Sequence, residues 1–241
     1  MTYNQTSKYS EIILQLSLID RIGPSIISKL TNNFTIDKTN LLSFKNYELN
    51  DFLNLKINIK IATSIIQELR NNKLLETELN LIQKYNVFVI SPFDDEYPKI
   101  LKTIENIPPI LYIKSKSKNI FKNRKVLACI GSRNSNNYGE YAAKHFILNL
   151  KEQSVIIASG GAIGGDSFAH NSALNNNIPT IVILGSGLMH EYPASNKYLF
   201  EKIVDSEGAL ISQFPMNTKP NKGTFPARNI VLAGLCDALL V

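Results

Sequence analysis

An α/β fold is predicted, with a parallel sheet covered by helices on both faces and a small helical domain ahead of it. Three observations carry this. From Val126 onward, short apolar strands alternate with amphipathic helices, the pattern of a parallel sheet buried on both sides. Before Val87 the apolar residues recur at spacings of three and four, as on helix faces. Glycines, small hydroxyls and cations stand directly after the successive strands, where an open α/β sheet receives its ligand. The 241 residues are 44% apolar and 19% charged, enough to bury a core in one large domain or two smaller ones.

In chain order, Glu11 to Ile19 reads as a helix rich in Ile and Leu, Gly23-Pro24 interrupts it, and Ser25 to Leu30 resumes. Helices are expected over Ile59 to Arg70 and Leu74 to Tyr85. The segment RIGPSIISKL resembles one arm of a helix-hairpin-helix, whose turn amides can hold a DNA phosphate; packing of small helices is the plainer reading. Residues 1–86 are therefore expected to form a helical domain of SAM or helix-hairpin-helix type. At Val87 the pattern shifts. Val87 to Ile90 is strand-like, Pro92, Pro98, Pro108 and Pro109 mark turns, and Ile110 to Ile113 is a second short strand. The alternation that follows is VLACI (126–130), a helix Glu140 to Leu150, VIIA (155–158), and a helix Asp166 to Leu174. TIVIL (180–184), a helix Asn196 to Val204, and ALIS (209–212) continue it. A helix Arg228 to Leu235 and the strand ALLV (238–241) close the second domain, 87–241. The sequence stops in mid-strand at Val241, so this domain is expected to be incomplete at its C-terminus, or to be completed by another chain.

Composition narrows the function classes. The formal charge of +6 permits a polyanionic partner, and it is spread evenly, +3 on 1–119 and +3 on 120–241. Lys114 to Arg133 is the sharpest basic run, with no acid; it reads equally as a solvated linker or as a phosphate-facing edge. Cys129 and Cys236 fit neither a disulfide framework nor a metal site, and read as free thiols in a reducing cytoplasm. No secretory leader and no run of ~20 apolar residues is present, so a soluble cytoplasmic protein with no membrane association is expected.

The chemistry sits after the strands. Gly131-Ser132-Arg133 follows the first, and Ser159-Gly160-Gly161-Ala162 follows the second, running through Gly164-Gly165-Asp166 into a helix. Gly185-Ser186-Gly187 follows the third. A loop with Lys219, Lys222 and Gly223 follows the fourth and ends in Phe225-Pro226-Ala227-Arg228-Asn229. Glycine lets backbone amides approach an anion closely, a helix start adds unpaired amides, and arginine grips phosphate through paired hydrogen bonds. Four strand ends with this chemistry point to a phosphate cradle. No dinucleotide fingerprint or P-loop is present, so the residues leave open whether the phosphate belongs to a nucleotide or a polymer. Asp166 and His170 lie four apart on one helix face; a structural or capping role for Asp166 and a packed, hydrogen-bonded role for His170 are expected. No nucleophile with a matched base stands out, so no catalysis, metal or cofactor is expected.

Six ordered segments resemble the DNA-processing protein A family (DprA, also called Smf): YPKIL with PPILYIK, ACIGSRNSNNYG, SGGAIGGDSFAH, TIVILGSGLMHEYPASN, GALISQFP and FPARNIVLAG. The resemblance covers roughly 95–241. It implies an extended Rossmann-like domain that binds single-stranded DNA during natural transformation and homologous recombination, helps load a RecA-type recombinase, and forms a homodimer. By resemblance, the phosphate contacts are Ser132, Arg133, Ser159, Gly160, Gly161, Lys222, Arg228 and Asn229. Phe225 is a candidate for stacking on a base, with core packing as its plainer reading, and Gly131, Gly165, Asp166 and His170 shape the pocket. The chain departs from the family pattern at Gly161, where leucine is usual, at Ile230, where a second arginine is usual, and at Gln213, where glutamate is usual. The missing arginine implies weaker phosphate binding with a flatter salt dependence. Two other readings are a truncated, inactive remnant of such a protein and a LOG-like phosphoribohydrolase or nucleotide sensor; the P-G-G-x-G-T-x-x-E signature of the LOG enzymes is absent from this sequence.

Overall fold

Ser7 opens the first helix: its hydroxyl accepts the Ser10 amide at 3.1 Å, satisfying one of the donors a helix start leaves unpaired. The computed structural model describes residues 6–33, 46–151 and 153–241. The chain divides into two units, Met1–Leu111 and Tyr112–Val241.

In the first unit α1 (Lys8–Ser17) packs on α2 (Pro24–Asn33), α4 (Ile59–Arg70) and α5 (Lys73–Lys84), and α3 (Leu49–Asn54) packs on α4. Leu14, Leu30, Phe52 and Ile65 are wholly buried between them. Pro24 occupies the first position of α2, where its missing amide is no loss. Helix α4 coincides with the expected helix, while α3 is not foreseen, because six residues give too little periodicity to register. The unit continues through β1 (Phe88–Ile90) and a 3-10 turn, Lys99–Thr103.

The second unit is built on β2 (Leu111–Ser115), β3 (Lys125–Cys129), β4 (Val155–Ser159), β5 (Thr180–Ile183), β6 (Ala209–Ser212) and β7 (Ala238–Leu240), ordered β2-β6-β5-β4-β3-β7. Its helices are α6 (Asn137–Leu148), α7 (Gly165–Asn175), α8 (Lys197–Asp205) and α9 (Thr224–Leu235). From β6 to β7 every pairing is parallel, as expected. Strand β2 departs from this and runs antiparallel to β6. No crossover helix joins β2 to its neighbour, so its direction is free of the constraint that a βαβ connection imposes. Strands β3 to β6 advance in one direction and β7 returns beside β3, so the order reverses at β3. That reversal and the carboxyl ends of the strands are where such sheets form their ligand crevice.

Cys129, Val155 and Ile157 on one face of the sheet pack with Ile147 of α6 and Ala169 and Ala173 of α7. The alternate residues Val126, Ala128, Ile156 and Ala158 point the other way and are also buried, so both faces of the central strands are covered. Helix α9 lies against β3 and β5. It begins at Thr224, four residues before the expected start. Phe225, Pro226 and Ala227 therefore form its first turn and are not loop.

Candidate functional site

The loops after β3 and β4 meet at a backbone crossing that only glycine permits. A Cβ on Gly165 would stand 2.6 Å from the Gly131 Cα. Gly164 has φ +80°, and a side chain there would collide with the Ser132 and Arg133 carbonyls. The Gly165 amide donates to the Ser132 carbonyl at 3.0 Å, and the Ser135 hydroxyl donates to the same oxygen at 2.8 Å. These bonds fix the turn that presents Arg133. On the β4 side, Asn196 donates through Nδ2 to the Gly161 carbonyl at 2.9 Å and to the Ser167 hydroxyl at 3.0 Å. The Asp166 carboxylate accepts the Ala162 amide at 3.1 Å.

A cleft of about 150 Å³ opens above these turns. Arg133 and Arg228 bring charge to it, Gly160 and Ala162 bring backbone, and Ile163, Tyr192, Pro193 and Phe225 bring apolar surface. The two arginines differ sharply. Arg133 is exposed and makes no hydrogen bond or ion pair among the described residues. Arg228 is only 8% exposed. Its Nη1 donates to the Gly160 carbonyl at 2.6 Å and to the Ile183 carbonyl, and its Nε donates to the Asn229 Oδ1 at 3.0 Å. Burial pulls the Arg228 pKa down, Asp166 opposes the shift, and Arg133 adds to it. Two guanidiniums facing one small cleft repel each other, and an anion between them relieves that repulsion.

The remaining predicted residues separate into groups. Ser132 is exposed, and its hydroxyl accepts the Asn134 amide at 3.1 Å. Ser159 is wholly buried, and its hydroxyl donates to the Cys129 carbonyl at 2.5 Å. Its side chain thus ties β4 to β3 and does not face the cleft. Gly160 and Gly161 lie buried at the floor of the turn. Asn229 is exposed beside Arg228, and Lys222 lies on the exposed turn before α9, outside the cleft lining. Phe225 is half-buried, with its ring over Gly185 and tilted against Tyr192. Tyr192 and Asn196 do not stand out in the sequence, although both sit in the segment TIVILGSGLMHEYPASN; neither belongs to the pattern of glycines, small hydroxyls and cations after the strands.

His170 is fully buried, and its Nδ1 meets the Thr180 hydroxyl at 2.8 Å. Thr180 donates to the Ile157 carbonyl, so Nδ1 carries the proton, and Nε2 has no partner among the described residues. Burial pushes the His170 pKa down to about 3, and the ring is neutral. Burial also pushes the Cys129 thiol up to about 12, with Asp166 adding to the shift. The basic run beside the site is largely tied down. Lys114 pairs with Glu191 at 2.7 Å, Lys125 with Asp237 at 2.8 Å and Arg124 with Glu207 at 3.7 Å, and Lys116 donates to the Asp205 carbonyl. Arg133, at the end of that run, is the cation turned to the cleft.

The family model of the DNA recombination-mediator protein A matches residues 88–241. The chain is similar to the Smf protein of Synechocystis sp., 32% identical over 230 residues, which is 95% of this chain and 56% of that protein. The X-ray structure of DNA processing protein A from Streptococcus pneumoniae is similar over 95% of this chain and 76% of its own, with TM-score 0.78 and 27% identity. DNA processing protein A from Helicobacter pylori, whose structure gave insight into its single-stranded DNA binding mode, is similar over 64% of this chain and 68% of its own, with TM-score 0.56 and 26% identity. The chain spans about half the length of the curated relatives it matches.

Proposed function

The chain belongs to the DNA recombination-mediator protein A family, and from that premise we propose that it binds single-stranded DNA through its phosphates in the Arg133–Arg228 cleft. The observation that carries this is the Arg133 guanidinium, unpaired among the described residues, beside the braced Arg228 guanidinium, above a glycine turn whose backbone a ligand can approach closely. The single-stranded DNA binding mode described for the Helicobacter pylori relative supports a polymer over a mononucleotide. We propose binding without catalysis. In support, the His170 ring is sealed from the cleft, and the Asp166 carboxylate is buried and accepts the Ala162 amide of the glycine turn. Membership of the family supports two further roles for the whole protein, loading of a RecA-type recombinase onto the bound strand and self-association as a homodimer. Phosphate contacts position a strand without reading it, so the binding is independent of sequence.

The test is fluorescence anisotropy of a labelled single-stranded oligonucleotide, with unlabelled single strand, duplex and free mononucleotide as competitors. Single strand should compete best and the mononucleotide poorly. Efficient competition by the mononucleotide would replace this reading with that of a nucleotide sensor.

A further inference from the structure

A surface helix ordinarily turns its charged face to water, and α6 does the reverse. Of its 12 residues only Ile147 is buried. Outward stand Tyr138 at 75% exposure, Tyr141 at 65%, His145, and Leu148 at 53%. Their spacing of three, four and three sets them in one stripe along the helix. The Tyr141 and His145 rings lie nearly parallel, with planes 14° apart and centroids at 6.1 Å. Phe146, also 53% exposed, meets the His145 ring edge-on at 6.0 Å. The result is a flat aromatic plate. The one acid and the one lysine of the helix, Glu140 and Lys144, pair with each other at 2.8 Å. The plate therefore carries no free ammonium to hold a phosphate, as a nucleic acid would need, and no unpaired charge that docking of a protein would strip of water.

This plate fits a second copy of itself. A spacing of three, four and three reads the same from either end. A second α6 laid antiparallel thus sets Tyr141 opposite the partner's His145 and Tyr138 opposite the partner's Leu148, and each contact occurs twice about a two-fold axis. Aromatic side chains carry about 150–250 Å² each, so the exposed parts of Tyr138, Tyr141 and Phe146 with Leu148 leave roughly 400–500 Å² open on each copy. Two copies would close on the order of 1,000 Å², the lower bound of a specific interface.

We propose that the outward face of α6 joins two copies of this chain, antiparallel and in that register, as a weak and reversible dimer. The proposal rests on the self-association reading above and gives that reading a surface.

Sedimentation velocity of the full chain over a concentration series should show a monomer–dimer equilibrium. Tyr141→Glu and His145→Lys should each weaken the dimer about 10-fold or more. Both side chains are exposed, so the melting temperature should not change. An equimolar mixture of the two variants should recover the dimer, because the introduced carboxylate then faces the introduced ammonium. Misfolded protein would not recover in this way. A dimer that persists in Tyr141→Glu, or a mixture that stays monomeric, overturns the proposal and leaves self-association to another surface. A wild type that is monomeric at every concentration overturns the proposal and the self-association reading together. Loss of oligonucleotide binding by Tyr141→Glu in a chain that never dimerises would also overturn it, and would assign the plate to nucleic acid.

Discussion

Arg133 and Arg228 bring the same charge to one cleft from opposite surroundings, and their replacement should separate binding from stability. Arg133→Ala removes an exposed side chain without a partner among the described residues. It should weaken single-stranded DNA binding at least several-fold and leave the melting temperature unchanged. Arg228→Ala strands the Gly160 and Ile183 carbonyls, and should lower unfolding stability by about 1–3 kcal/mol in urea titration as well as weakening binding. His170 gives a pH dependence of definite sign. Above the ordinary histidine pKa of about 6.5 the ring is neutral both folded and unfolded. Below it the unfolded chain takes up a proton while the folded chain, with a pKa of about 3, does not, so stability falls as pH drops from about 6.5 toward 3. The melting temperature should therefore decline between pH 7 and pH 5, and His170→Gln should flatten that decline. The gathering of glycines and arginines at the strand ends was legible in the sequence, and the cleft brings Arg133, Gly160 and Arg228 together. The burial of Arg228 and Ser159 was not legible, since an arginine or serine after a strand reads the same whether it faces ligand or core.

Among the elements, β7 shows how a single carboxylate positions a strand. Asp237, just before it, accepts the Val126 amide at 2.9 Å and the Lys125 ammonium at 2.8 Å, tying β7 to the start of β3. The Lys125 bond foremost, and then the Val126 amide, hold its pKa below the ordinary carboxylate value. Such a carboxylate stabilises the fold above its unfolded pKa, and the contribution is lost as pH falls through the folded one. Asp237→Ala should lower the urea midpoint by the equivalent of roughly 1–2 kcal/mol at pH 7, with a smaller difference near pH 3. The alternation of β3 to β7 with α6 to α9 was legible because short apolar runs between amphipathic segments have few other solutions. The early start of α9 was hidden by Pro226, which signals a loop in sequence yet is tolerated in the first turn of a helix. The direction of β2 was hidden because strand direction is fixed by connection, which apolar content does not reveal. Ile230, half-exposed on α9, stands where the family resemblance leads one to expect an arginine. Ile230→Arg should tighten single-stranded DNA binding and steepen its salt dependence.

At the scale of the whole molecule, the +6 charge is shared evenly along the chain, and much of the basic run before Arg133 is neutralised by local pairs. The proposed Arg133–Arg228 site is a small cleft, so binding there should show a salt dependence that is real but shallow. The most direct test is the affinity of the intact chain for a single-stranded oligonucleotide across a series of salt concentrations, beside Arg133→Ala. Log affinity should fall linearly with log salt. The variant should bind more weakly, with a slope shallower by about 0.7 for each phosphate that Arg133 neutralises in the wild type. Wild-type affinity that does not respond to salt, or a variant with unchanged affinity and slope, would contradict it.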